Sequence, residues 1–463
     1  MRIHIGLLLI SFMLLPDTGL AHASEQGFVL LLPTDIYIGA GVAAVVLTLV
    51  LLAFLPGWVA ARLFRPVGII HRPRGIGLHH VTSCLSALLL WALVWRGFTG
   101  AHDPTVNPLP LFVWTLWWVG LVTLQGLLGD HWRYTNPWTG PAAVLARLTG
   151  SRAPLRYPAA LGHGPGIVIF LGFASFLLAD PAPADPHWLA SVVGGYWYLT
   201  LMGVTLFGPR WLLRAEALSI LMRCYGRMGL FGRARGRISA GLWGWQLSSL
   251  GRVPLGLALF MVLLLGCGSF DGVNETFWWL AVLGINPLEF PGRSAVVTQN
   301  LIGLALANAA LIAVFATCLW LGERIAGTRR SAGDALRLFA PSILPIALGY
   351  HLAHYLTSFL VDGQYVLVAL SDPLGRGDDL LNLGPFFVTT GFLNTPATVK
   401  AIWLTQAGAV VLGHVIAILL AHAQAVRAYG SNRRAVLAQA PVAAFMIAYT
   451  FFGLWLLASP RGI

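Results

Sequence analysis

Ten stretches of mostly apolar residues, each close to the length that crosses a bilayer, alternate with short polar segments along this chain. A helical span needs ~20 such residues. The pattern predicts spans at about 36–60, 80–98, 109–128, 165–180, 188–207, 253–269, 296–320, 341–361, 401–425 and 439–458. The polar segments alternate in charge. Arg62, Arg65, Arg72 and Arg74 follow the first span, and Arg133, Arg147, Arg152 and Arg156 the third. Seven arginines from Arg210 to Arg237 follow the fifth, Arg324, Arg329, Arg330 and Arg337 the seventh, and Arg427, Arg433 and Arg434 the ninth. The intervening loops are acidic or neutral, with Asp103, Asp180, Asp185, Asp271, Glu275, Glu289, Asp362, Asp372, Asp378 and Asp379. Basic loops on one side orient such a bundle with that side in the cytoplasm. The expected fold class is therefore all-α, a polytopic transmembrane helical bundle with both mature ends outside the cytoplasm.

Two arginine-poor loops are long. The one at about 270–295 carries Thr276-Phe277-Trp278-Trp279-Leu280, which is too short to span and rich in tryptophan, as in an interfacial or re-entrant piece. The one at about 362–400 is punctuated by Pro373, Gly375, Gly377, Gly384, Pro385 and Pro396. It follows the eighth span and is expected to cover a site there.

Composition changes this picture little. The chain is 57% hydrophobic and 10% charged, with a mean hydropathy of +0.76, outside the range of soluble domains. Of its 463 residues, no polar run is long enough for a soluble domain. The net charge of +12 is almost all arginine, Lys400 being the one lysine, and it follows the topological bias rather than marking a nucleic-acid partner. The cysteines Cys84, Cys224, Cys267 and Cys318 are isolated, so no disulfide framework is expected. At the start, Arg2 and His4, the apolar run Ile5–Leu15 and Ala21-His22-Ala23 read as a cleavable export signal. Residues 1–23 are expected to be that signal peptide and 24–463 the membrane domain. Cleavage after Ala21 would instead leave His22 as an N-terminal copper chelator.

Candidate chemistry concentrates on two spans. On the eighth, His351, His354, Tyr355, Ser358 and Asp362 recur at i, i+3, i+4, i+7 and i+11, one polar face of a helix. Such a stripe is expected to face the bundle or a wet cavity, because polar groups are costly against lipid. The ninth carries Gln406, His414 and His422, with His414 expected within about a turn of His351 in depth. Three imidazoles with an open position suit a divalent transition metal, zinc or copper above all, and such a metal acidifies bound water. Haem ligation, a proton relay and plain interhelical hydrogen bonds are the alternatives. Asp362 lies ~12 Å along the axis from His354, at the mouth of the site. Asn308 is a further buried polar candidate on the seventh span. His79 and His80, and an Asp130–His131 pair before Asn136-Pro137-Trp138, carry weaker signals. No P-loop, Rossmann, G-x-S-x-G or H-E-x-x-H pattern is present.

The run Ala21-His22-Ala23-Ser24-Glu25-Gln26-Gly27-Phe28, the Asn136-Pro137-Trp138 turn and Tyr350-His351-Leu352-Ala353-His354-Tyr355 together resemble bacterial polytopic membrane proteins named fenitrothion hydrolases. That resemblance implies cleavage of the aryl ester of a phosphotriester, with a small lipophilic substrate reaching the site from the bilayer of the inner membrane. It implies no particular catalytic residues. From the residues themselves, His351, His354 and His414 are the expected metal ligands, with Asp362 or Tyr355 assisting. Phosphotriesterase sites usually include carboxylate ligands, and the sequence shows none at histidine depth. The rivals are a non-enzymatic membrane protein handling copper, haem or protons, and a small-solute transporter.

Overall fold

The computed structural model describes residues 29–71, 78–150, 153–234, 236–290 and 292–461. The proposed signal segment and His22 lie outside them. Ten helices form the bundle: α1 Thr34–Phe54, α2 Leu78–Thr99, α3 Pro108–Leu128, α4 Gly164–Ala179, α5 Pro186–Phe207, α6 Leu255–Val273, α7 Val297–Ile325, α8 Leu344–Ser371, α9 Pro396–Tyr429 and α10 Asn432–Ala458. Among the described residues, nine are long and apolar enough to cross a membrane, while α4 has 16 residues. The chain is thus a multi-pass, all-α membrane protein.

The spans sit where the hydropathy pattern puts them, but several helices outrun it. The helix α8 continues to Ser371 rather than stopping near 361, and α10 starts at Asn432. Once begun, a helix satisfies its own backbone and gains a bond per added residue, so it does not stop where apolar side chains do. The loop expected over 362–400 therefore shrinks to residues 372–395, and none of these lines the cavities described below. It folds onto the end of α2, where Arg96 Nη2 donates to Leu374 O at 3.1 Å. The tryptophan-rich piece forms the short helix Phe277–Val282, capped by Thr276 Oγ1, which accepts from Trp279 N at 3.2 Å.

Burial separates a centre from a rim. The apolar window of α6 is 72% buried, that of the segment holding α8 83%, and that of α9 67%, against 17–33% for the other long helices. Two glycines bring α8 and α9 together. A Cβ on Gly349 would lie 2.6 Å from Ala409 O, and one on Gly413 would lie 2.6 Å from Pro345 O. With no hydrophobic drive between helices in lipid, such close backbone approach supplies the attraction through packing. These contacts set the antiparallel register: Gln406 on α9 is level with Ala353 on α8, and Gly413 lies between Pro345 and Gly349.

At the arginine-rich end, a small antiparallel sheet ties two loops together. Strands β1 Val67–His71, β2 Phe231–Ala234 and β3 Arg237–Ala240 pair in the order β1-β3-β2. Hydropathy gave no sign of it, because each strand is only four or five residues long. A salt-linked cluster closes the same end. Glu323 accepts from Tyr429 Oη at 2.6 Å and faces Arg330 Nη1 at 3.6 Å.

Candidate acid–base site

The helix α6 runs one turn past the expected end of its span, to Val273, and that turn carries Asp271. Its carboxylate Oδ2 lies 3.2 Å from His354 Nε2 and accepts from Tyr355 Oη at 2.5 Å. Asp271 reads in the sequence as part of an acidic loop. Its only advance signal is its place one turn beyond Cys267, on the same helix face. The absence of a carboxylate at histidine depth, noted from the sequence, is thereby corrected: α6, not α8 or α9, supplies it.

Around this pair the polar face of α8 behaves as its spacing predicts. His351 is buried, 7% exposed, with its ring edge-on to Trp118 at 5.2 Å and to Tyr355 at 5.0 Å between centroids. The backbone of Trp118 and Val119 lies against this ring, while its Nε2 has no hydrogen-bond partner among the described residues. Trp118 belongs to a stretch of α3, Leu111–Leu121, wound as a π-helix. Such wide turns are rare and cluster at functional sites.

Two cavities meet at the pair. One, of about 40 Å³, is enclosed by Trp118, Phe173, Cys267, Tyr350 and His351 among others. The other, of about 500 Å³, opens at the arginine-poor end between Glu275, Arg293, Asn300, Trp403, Gln406 and Arg461. Asp271, His354 and Tyr355 line both. The smaller holds a water or two at most, while the larger falls in the size range of small-molecule sites. Arg293 is fixed at the rim, donating to Glu275 Oε1 at 3.0 Å and to Leu177 O at 3.2 Å.

The remaining candidates are placed elsewhere. His414 is fully buried; its Nδ1 donates to Val410 O at 2.8 Å, and its Nε2 has no partner among the described residues. The α8–α9 register puts it about 7–9 Å deeper than His351 at 1.5 Å per residue. Its ring neighbours are Tyr350 and Tyr449, at 6.5 and 6.4 Å, and it lines neither cavity. Asp362 also lines neither. Gln406 Nε2 donates to Ala353 O at 2.9 Å and to Thr357 Oγ1 at 3.3 Å, clamping α9 to α8 beside the larger cavity. His422 Nδ1 and Nε2 lie 3.2 and 3.1 Å from the amide oxygens of Gln439 and Asn432. Asn308 Nδ2 donates to Leu304 O at 2.8 Å, a contact within its own helix. His131 sits in a backbone-capping network: Gln125 Oε1 accepts from His131 N and Trp132 N, and burial holds its imidazole below the ordinary range. The rings of His79 and His80 lie 4.0 Å apart, tilted by 40°.

The donor set does not fit a three-histidine metal. Among the described residues no group of three or more His, Cys, Asp or Glu side chains is placed to share an ion, and the Asp271 and His354 side chains are bonded to each other. What the arrangement offers is acid–base chemistry. A carboxylate bonded to one imidazole nitrogen fixes the tautomer, leaves the lone pair on the other, and stabilises the imidazolium once a proton is taken.

Comparison with family models, with curated proteins and with solved structures returned no match to this chain.

Proposed function

We propose that the protein is a membrane hydrolase for small lipophilic esters of the phosphotriester type, with His354 as general base and Asp271 as its orienting partner. One observation carries this reading: the Asp271–His354 pair lines a cavity of about 500 Å³ at one end of a lipid-embedded bundle. With Nε2–H donated to Asp271, Nδ1 of His354 is the basic nitrogen. It takes a proton from a water in the cavity, the water oxygen bonds to phosphorus, and the P–O bond to the aryl group breaks. The proton then passes from His354 to the departing aryl oxide, which balances the step. Tyr355, donating to the same carboxylate, holds Asp271 in place. The Arg293 guanidinium at the rim faces the charge developing on the phosphoryl oxygens. The resemblance of the Tyr350–Tyr355 run to the fenitrothion hydrolases supports the substrate class. No step runs through a metal. The positive-inside bias supports a plasma-membrane setting with the arginine-rich end in the cytoplasm and the cavity facing outwards.

Hydrolysis of a p-nitrophenyl phosphotriester by the purified protein in nanodiscs tests the reading. Wild type is expected to turn over, and His354→Ala to lose about 10²–10⁴-fold in kcat, the span general-base catalysis supplies. Turnover that survives His354→Ala, or its absence in wild type, defeats it.

A second reading, proton handling, draws on the unpartnered Nε2 atoms of His351 and His414 at successive depths. Proton flux into proteoliposomes without any ester turnover would favour it.

A further inference from the structure

A further cavity of about 460 Å³ lies among α2, α3, α4 and α5, away from the acid–base pair. Nine of its 22 lining residues are aromatic, among them Trp114, Trp117, Trp132, Trp138, Phe173 and Trp197, and most of the rest are aliphatic. In tryptophan the indole N–H normally marks where a polar ligand can be held. Here four of the five lining tryptophans have that donor engaged. Trp114 Nε1 donates to Pro183 O, Trp132 Nε1 to Ser219 Oγ, Trp138 Nε1 to Trp197 O and Trp197 Nε1 to Pro137 O, each at 3.1 Å. The Tyr196 hydroxyl, also in the wall, donates to Glu216.

These bonds have two consequences. A polar ligand would lose its own hydrogen bonds on arriving and find most of these donors taken, a penalty for each group left unpaired. The same bonds pin the rings at both ends of the cavity, so its shape exists before anything binds, as in most small-molecule sites. Only 22% and 28% of the apolar windows of the flanking helices α2 and α5 are buried, so these helices stand at the lipid-facing rim of the bundle. Trp132, Trp138 and Tyr196 already meet one another edge-on, at 6.2 and 6.0 Å between centroids. A flat ring gains from each such contact beyond its buried area, and an acyl chain gains none of that. A rigid ring also loses less internal freedom on binding than a flexible chain.

We propose that this cavity is a binding site for a neutral, ring-bearing apolar ligand taken from the bilayer. It stands independently of the hydrolase reading, because it involves neither Asp271 nor His354. Phe173 lines both this cavity and the small chamber beside His351, and its ring lies 4.8 Å from Trp118, so the two regions share one wall.

The glycine Gly172 on α4 offers a direct test. It lines the cavity, and a Cβ there meets no atom within 4 Å. Gly172→Phe fills the space, with Gly172→Leu as the smaller variant should Phe lower the melting temperature. Gly195→Phe on α5 is the control, since Gly195 is exposed and equally free of contacts. The full-length protein in nanodiscs is photolabelled with benzophenone, and the crosslinks are mapped by mass spectrometry. Labelling is expected to concentrate on residues 112–138 and 189–197. It should fall by about tenfold or more in the filled variant, equivalent to a 1.4 kcal/mol loss, and persist in Gly195→Phe. Labelling that survives filling, or spreads evenly over all the peripheral helices, overturns the proposal. So does a diazirine-bearing phospholipid that labels the same peptides and is not displaced by benzophenone, since the occupant is then a lipid chain.

Discussion

The regions on either side of α4 are chemically opposite. Around Asp271, polar groups keep unused capacity: the carboxylate engages one nitrogen of His354, and His351 Nε2 has no partner among the described residues. Around Trp138, nearly the reverse holds, with indole and phenol donors engaged by backbone carbonyls, Ser219 or Glu216. A buried polar group with an open valence costs stability and stays available for reaction. A fully satisfied one gives up reactivity for a fixed shape. As proposed, the first region moves protons and the second holds a ring.

The sharpest way to break this contrast is Asp271→Asn. The amide keeps the size of the side chain but cannot stabilise an imidazolium, so ester turnover should drop by about 10²–10⁴-fold in kcat with KM little changed. A change in KM alone would make Asp271 a packing residue. Next in size is Glu216→Ala on the other side. Glu216 is buried, accepts from Leu218 N at 2.8 Å and Ser219 N at 2.6 Å, and takes the Tyr196 hydroxyl. Its loss removes a helix cap and orphans a buried phenol, about 2–4 kcal/mol in all. Thermal unfolding in detergent should show it, while ester turnover, where measured at low temperature, should hold.

Between the two regions, His163 precedes α4, whose faces line both cavities. Burial, with Arg223 and Arg214 adding to it, pushes its imidazole down to about 4. The folded state therefore favours the neutral ring, and the unfolded chain binds the proton first. Stability should be full above pH 6.5 and decline as the pH falls from there towards 4, by on the order of 3 kcal/mol. His163→Gln should flatten that slope in melting curves taken across the window. An equal slope in the variant would assign the effect to other groups. The smallest expected effect is that of Trp138→Phe, which deletes one indole bond to Trp197 O. Side-chain hydrogen bonds between membrane helices average ~0.6 kcal/mol and reach ~1.7, so a shift of a few degrees in melting temperature is expected. A much larger loss would mean that the aromatic cavity is held together by that single bond.

Much of the architecture was legible from the residues because lipid imposes one rule on every span: ~20 apolar residues in a helix that satisfies its own backbone. That rule located the ten helices and the inward-facing stripe His351, His354, Tyr355 and Ser358. It failed at Asp271, because hydropathy ends a span at the first charge while the hydrogen-bonded helix runs on. It also misjudged His414, whose depth depends on how α9 slides along α8. Gly349 and Gly413 fix that register through backbone contacts that no count from the helix ends contains. The aromatic cavity was invisible for a different reason. In a hydropathy reading Trp114, Trp132, Trp138 and Trp197 are simply apolar positions, and which acceptor takes each indole N–H depends on segments about 60 to 90 residues away in the chain.

The sequence by itself determined that this is a bundle of membrane-crossing helices with histidines turned inward, since hydrophobic length and helical period are local properties. Only the tertiary structure decided which carboxylate meets which imidazole, and which aromatic donors remain available. Those pairings join helices distant in sequence, and they form only once close packing fixes how one helix lies along another.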